Sequence, residues 1–380
     1  MQIVQPKYEI LDIPDPKNHD EVLQFIEKIG RTCYKSEDKI TTGSAEKFIK
    51  MLKDHHHWAM LEHYIFILKV PVPVIEAIAS SINFTIHQFP PNPVKYDIYE
   101  KMNYFRYSLH ITHDKDPRNG IRREFGIVST SATAINYLMQ ACEENSYAVP
   151  VFYAIGYFLK KYYPELIEIA WESEPNAESW YEGFTRYENF EFMTNQDLVD
   201  LQAKGDYKSL SLHGWQTVLF TCSRGFSHEC VRHRPASYAQ SSTRYCNYSL
   251  GKFGSEIQVI DPLYFEHGGD QYNTWYNSCL QTEQSYMNLI DSGATPQEAR
   301  SVLPNSLMTE LNMTTRLGEW HHFFDMRADK PAHPEMKQLS VPLLNDFISI
   351  YPKIFDDLEY RLEENSEYLN IDEGDEGNDE

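Results

Sequence analysis

The run 232–245 gathers Arg232, His233, Arg234 and Arg244 among Ser237, Gln240, Ser241, Ser242, Thr243 and Tyr245. The chain carries a formal net charge of -22, so this density of cations is unusual for it. Guanidinium groups are permanently charged planar forks that match phosphate oxygens and polarised carbonyls. Hydroxyl and amide side chains add shorter-range donors and acceptors. The residue types describe an anion pocket; the plainer alternative is a surface loop tied by salt bridges. Ser242 is not read as a nucleophile, because no base with an orienting third group can be identified beside it.

A second cluster is His55, His56 and His57, followed by Glu62 and His63. His57 and His63 do not have the spacing of a zinc helix, and no HExxH pattern occurs, so no metal is expected. Six cysteines are scattered without a CxxC pair, which fits reduced thiols in a cytoplasm better than a disulfide framework.

The elements that must position these groups follow from periodicity. Residues 20–29 carry an apolar stripe at helical spacing, and 30–36 read as a loop. A helix capped by Ser44 runs to about residue 54, and 64–70 is a strand. Between 71 and 214 lie strand-like stretches at 82–87, 103–111 and 124–129, then helices at 132–142 and 149–162. Residues 215–221 form a strand feeding a helix at 223–231, which ends at the arginine run. Beyond it come a short strand at 257–260 and a helix at 272–291. Thr295, Pro296 and Glu298 then start a further helix. A strand at 307–314, a helix at 318–326 and a long final helix at 334–358 complete the series.

Hydrophobic residues make up 42% and aromatics 14% of the 380 residues, enough for a substantial core. No apolar stretch approaches the roughly 20 residues of a membrane span. The opening residues lack a basic segment followed by an apolar one, so no secretion signal is expected. The acidic balance opposes general nucleic-acid binding. About half of the excess lies in 356–380, whose end is too polar to offset the entropy of ordering.

Arg232-His233-Arg234, seven residues, then Ser242 resembles the signature of the flavin-dependent thymidylate synthases. The segment from Ser223 through His228, Glu229 and Val231 resembles the helix leading into that signature. Further blocks agree in order: Ala299-Arg300-Ser301-Val302-Leu303-Pro304; Trp320 to Arg327; and Ala332-His333-Pro334-Glu335-Met336. The His57 to Glu62 stretch resembles the family's His-rich segment. The chain is thereby identified as a long member of that family with a central insertion. The resemblance implies an α+β fold, a mixed or antiparallel twisted sheet flanked by helices. The family core would comprise 1–70 and 215–358, with 71–214 an insertion packed on it and 359–380 a disordered acidic tail.

The resemblance also implies reductive methylation of dUMP to dTMP, with 5,10-methylenetetrahydrofolate as carbon donor, FAD as hydride carrier and NADPH as reductant, in a cytoplasmic homotetramer. Arg327 matches the arginine that activates the pyrimidine; a structural ion pair with Asp325 or Asp329 is its alternative. The dUMP contacts would be Glu229, Arg232, Gln240, Ser241, Ser242, Thr243, Arg244, Arg300 and Arg327. The flavin contacts would be Cys33, His57, Glu62, Arg232, His233, Arg234, Gln240, Arg316, Gly318 and His322. Glu229 stands where the family commonly has glutamine, Arg316 and Gly318 where it often has asparagine and arginine, and Ala59 where a hydroxyl sometimes occurs. Two other classes compete: a non-catalytic nucleotide- or RNA-binding protein using the arginine run, and a metal hydrolase centred on the histidines.

Overall fold

Two short strands open the chain, β1 (Gln2–Val4) and β2 (Lys7–Leu11). Helix α1 (His19–Tyr34) follows, its apolar stripe of Val22, Phe25, Ile26 and Ile29 buried. The computed structural model describes residues 1–71, 73–75, 77–78, 109–112, 125–144, 149–170, 173–186, 189–244, 247–249 and 255–369. The stretches expected to be extended at 82–87 and 103–108, Tyr245, and the acidic end from 370 lie outside these residues. The chain divides into two compact units. One contains Met1–Leu11, Arg31–Ser36 and everything from Gln216; the other contains Asp12–Gly30 and Glu37–Trp215.

The second unit holds most of α1, then α2 (Ser44–Asp54), β3 (Ile65–Pro71), β4 (Leu109–Thr112) and β5 (Phe125–Ser131). Helices α3 (Ala132–Glu144), α4 (Pro150–Tyr162) and α5 (Glu174–Phe184) follow. Strand β6 (Glu191–Phe192), α6 (Asn195–Ala203) and α7 (Tyr207–His213) end the series. Its sheet has the order β4-β5-β3-β6 with antiparallel pairings, so β5 and β6 each pair with β3, and β4 pairs with β5. Tyr64, Phe66, Tyr163, Phe158 and Phe192 form its aromatic core. Alternation on β3 places Phe66 and Leu68 on one buried face.

The first unit adds β7 (Trp215–Ser223), α8 (Arg224–Cys230), β8 (Ser237–Gln240) and β9 (Gln258–Ile260). Helices α9 (Asp270–Asp291) and α10 (Pro296–Ala299) precede β10 (Met308–Arg316). Helices α11 (Leu317–Arg327), α12 (Pro334–Ile350) and α13 (Glu359–Glu364) complete it. Its main sheet has the order β2-β7-β10-β8, and β1 pairs with β9 in parallel. Trp320, Phe323, Phe324, Phe347 and Phe355 pack ring against ring at 5.1–5.7 Å between α11 and the segment closing over it. The fold is α+β. Among the described residues no helix is long and apolar enough to cross a membrane.

Three local expectations are corrected. Residues 30–34 are helical, because Gly30 serves close packing: a Cβ there would sit 2.6 Å from the Phe48 ring. Ser44 does not cap α2. Gly43, at φ +75°, occupies that position, and the Ser44 hydroxyl turns back to the Thr41 carbonyl and the Glu27 carboxylate. The last long helix stops at Ile350, two residues before Pro352, and residues 359–364 form a separate helix.

Candidate active site

The centre of the arginine run is not a loop but strand β8, paired antiparallel to β10 with Gln240 opposite Leu311 and Ser237 opposite Thr314. Ser237 and Ala239 are buried, whereas Tyr238 and Gln240 are half-buried. The Tyr238 hydroxyl lies 2.8 Å from the carbonyls of both Cys230 and His233, fastening the turn after α8 to the strand. Gln240 donates to the Ser227 hydroxyl at 2.8 Å and to that of Thr309 at 3.2 Å. Helix α8 is fixed by its own cap, Ser223 Oγ accepting from the Phe226 N–H at 3.0 Å.

One corner forms around Arg327, the last residue of α11. Its Nε donates to His233 Nε2 at 2.6 Å, and one terminal nitrogen pairs with Glu229 Oε2 at 2.7 Å. The other terminal nitrogen reaches the Glu229 carbonyl at 3.2 Å. Burial, then the charges of Arg327, His322 and Arg232, pushes the His233 imidazole down to about 4. His233 is therefore neutral near pH 7 and offers Nε2 as an acceptor. Phe323 meets its ring edge-on at 5.0 Å. Asp325 and Asp329, the alternative partners for Arg327, pair instead with Arg361.

The other end is a rim of exposed side chains. Arg244 Nε donates to Gln297 Oε1 at 3.1 Å, and Arg300 reaches the Thr243 hydroxyl at 3.3 Å. A capping box of Thr295 and Glu298 sets the start of α10 and so the approach of Arg300. Ser242 presents its hydroxyl to the Arg244 N–H at 3.3 Å, while its own N–H donates to the Cys33 carbonyl at 3.1 Å. Ser241 is buried, exchanging hydrogen bonds with Thr309 and Glu310. Arg224 supports the turn by donating to the Ser241 carbonyl.

Arg232, Arg234 and His322 are exposed around buried His233. Arg316 donates to Glu319 at 2.9 Å, and Gly318 lies on the first turn of the same helix. In the second unit His57 stands at the N-cap of a short 3-10 helix, Trp58–His63, and Glu62 lies within it. The structure thus groups Glu229, His233 and Arg327 at one corner, and Ser242, Thr243, Arg244 and Arg300 at one rim. Sequence reading missed Thr309, which holds both Gln240 and Ser241, and Lys35, which pairs with Glu310 at 2.5 Å. Thr309 lies on a strand recognisable from sequence, but only the register with β8 gives it a role.

A cavity of about 180 Å³ adjoins Glu229, lined also by Ser223, Phe226, Tyr264, His333 and Glu335. The Glu335 carboxylate accepts from Ser223 N and Oγ at 2.8 and 2.7 Å, yet burial still pushes its carboxyl up. Among the described residues no three His, Cys, Asp or Glu side chains converge as a metal site.

A family model described as thymidylate synthase complementing protein matches residues 166–353, the span that carries both the Arg327 corner and the Arg244 rim. A flavin-dependent thymidylate synthase of Geobacter sulfurreducens is 32% identical over 135 residues, covering 36% of this chain and 56% of that protein. One from Pyrococcus furiosus is 31% identical over 125 residues, covering 33% and 50%, and one from Mycolicibacterium gilvum is 30% identical over 148, covering 36% and 58%. Over these spans the chain is similar to the flavin-dependent thymidylate synthases. It spans about half the length of the curated relatives it matches. Cys33, His57 and Glu62 lie before the matched span, as does most of the second unit.

Proposed function

We propose that this chain is an enzyme that methylates dUMP at C5 to give dTMP, taking the carbon from 5,10-methylenetetrahydrofolate and reducing equivalents from NADPH through FAD. The observation that carries the reading is the pre-set guanidinium of Arg327, fixed by Glu229 and a neutral His233. Uracil C5 is a weak nucleophile, and negative charge must develop on the ring and its carbonyls before it attacks. A cation already oriented towards those oxygens stabilises that charge without reorganising at the moment of reaction. His233 serves this by accepting from Arg327 instead of repelling it.

Arg244, Arg300, Ser242 and Thr243 hold the phosphate. Gln240 and Ser241 fix the backbone between the two ends. Glu229 and Arg232 complete the nucleotide contacts.

Exposed Arg232, Arg234 and His322 offer cations and donors that suit a dinucleotide's diphosphate, so the residues present fit FAD. Cys33, His57, Glu62, Arg316 and Gly318 would contribute further contacts, in a homotetrameric enzyme. Bound flavin would supply the hydride that turns the transferred methylene into a methyl group.

The test incubates purified protein with dUMP labelled at C5 by deuterium, methylenetetrahydrofolate, FAD and NADPH. Yellow protein, release of the label and dTMP formation are expected. Colourless protein that takes up no FAD and releases no label would overturn the proposal.

A further inference from the structure

We infer that Arg361 and Asn365 are positioning residues for Arg327, acting from beyond the span that matches the family model. This rests on the proposed role of Arg327 at the pyrimidine. A helix leaves its last carbonyls without intrahelical partners, and an unsatisfied end frays. Arg327 sits at that end of α11, where fraying would move the guanidinium most.

The end is instead closed by side chains. Arg361 donates to the Asp325 carbonyl at 3.1 Å, Ser340 Oγ to the Arg327 carbonyl at 2.8 Å, and Asn365 Nδ2 to the Ala328 carbonyl at 3.0 Å. Two of the three donors come from residues 361–365. A cation at a helix C-terminus also complements the helix dipole.

Arg361 has a second effect. It pairs with the carboxylates of Asp325 at 3.0 Å, of Asp329, and of Glu364 at 3.2 Å, with its guanidinium 4.7 Å from the centre of the Tyr360 ring. Asp325 and Asp329 lie two residues either side of Arg327. Occupied by Arg361, they do not compete with Glu229 and His233 for the Arg327 guanidinium. The donors are the enclosed part of the cluster: the Arg361 side chain is 13% exposed and Asn365 1%, while the Asp325 and Glu364 carboxylates are 45% and 44% exposed. The six-residue helix α13 is too short to persist alone, so these bonds hold it as much as it holds α11.

The test compares the full-length wild type with Arg361→Ala, Arg361→Lys and Asn365→Ala. Phenylglyoxal labelling of Arg327, followed by peptide mass spectrometry, reads the placement of its side chain without reference to activity. In Arg361→Ala, Arg327 should label several-fold faster. The kcat for dTMP should fall about tenfold while the dUMP KM changes little, as expected for a misplaced group in a folded site. Arg361→Lys, which restores the cation on a single nitrogen but not the planar fork, should fall between. Unchanged labelling and kcat in folded Arg361→Ala would overturn the inference, as would a kcat loss that only tracks the unfolded fraction. If Arg361→Ala does not fold, Asn365→Ala decides: faster labelling supports the inference, and a wild-type rate overturns it. Wild type that makes no dTMP would sink the functional proposal, while the labelling still judges the positioning.

Discussion

The Arg327 corner and the Arg244 rim both use arginine, but in opposite physical states. Arg327 is mostly enclosed, with contacts of 2.6 and 2.7 Å on two of its three nitrogens and a neutral imidazole as one partner. Arg244 and Arg300 are exposed, with contacts of 3.1 and 3.3 Å to the uncharged Gln297 and Thr243. The difference matches two tasks. Charge that appears only transiently on a ring is best met by a cation whose orientation is already set. A phosphate carries its charge throughout and can gather mobile cations as it binds, at some cost in side-chain entropy. On the proposed function, the corner would serve rate and the rim capture.

That contrast is most directly broken at Arg327. Arg327→Ala should lower dTMP formation by at least about a hundred- to a thousandfold, the range seen when one preorganised donor is removed. Flavin content, read by absorbance, should stay at the wild-type level. Equal loss of flavin and activity would place Arg327 in cofactor binding and remove the distinction between corner and rim.

At the rim the expected change is in binding. Arg244→Ala should raise the dUMP KM by roughly 10- to 100-fold, the value of a lost hydrogen bond to a charged group, with kcat little altered. An unchanged KM would mean that the phosphate lies elsewhere. A fall in kcat alone would show that the rim, too, acts in the transition state.

Much of the corner was legible before the structure, and for physical reasons. The strand 215–221, the helix 223–231 and the helix 318–326 have strong periodicity or caps, and each lies close to its observed bounds. Arg327 could be singled out, as could Glu229, because both lie in motifs that resemble a family. Their partnership could not, because it joins two helices almost a hundred residues apart through side chains alone. The same limit hid Thr309 and Lys35. The run 232–245 was read by residue type, and its central strand was missed because the alternation of Ser237, Tyr238, Ala239 and Gln240 is weakly apolar. Gly30 misled in the other direction: glycine marks a break in sequence, yet here it lets α1 approach Phe48.

The smallest expected effect separates the two regions by titration. The rim's arginines, hydroxyls and amide do not change charge between pH 4 and 7, whereas the corner contains His233, held near 4 against an ordinary value of 6.5. Well above pH 6.5 the imidazole is neutral in both folded and unfolded chains, and its contribution to stability is fully present. As pH falls from there towards 4, the unfolded chain takes up a proton that the folded chain refuses, so stability falls. By this linkage the loss is roughly 2 kcal/mol between pH 7 and pH 5. His233→Gln keeps an acceptor for Arg327 but cannot titrate. Urea midpoints at the two pH values should therefore converge: the advantage of wild type over this variant should shrink by that amount at pH 5. An advantage that stays constant would mean that His233 titrates at its ordinary value in the folded protein and is protonated at pH 5. It could then not accept from Arg327, and the corner would lose the neutral partner that distinguishes it from the rim.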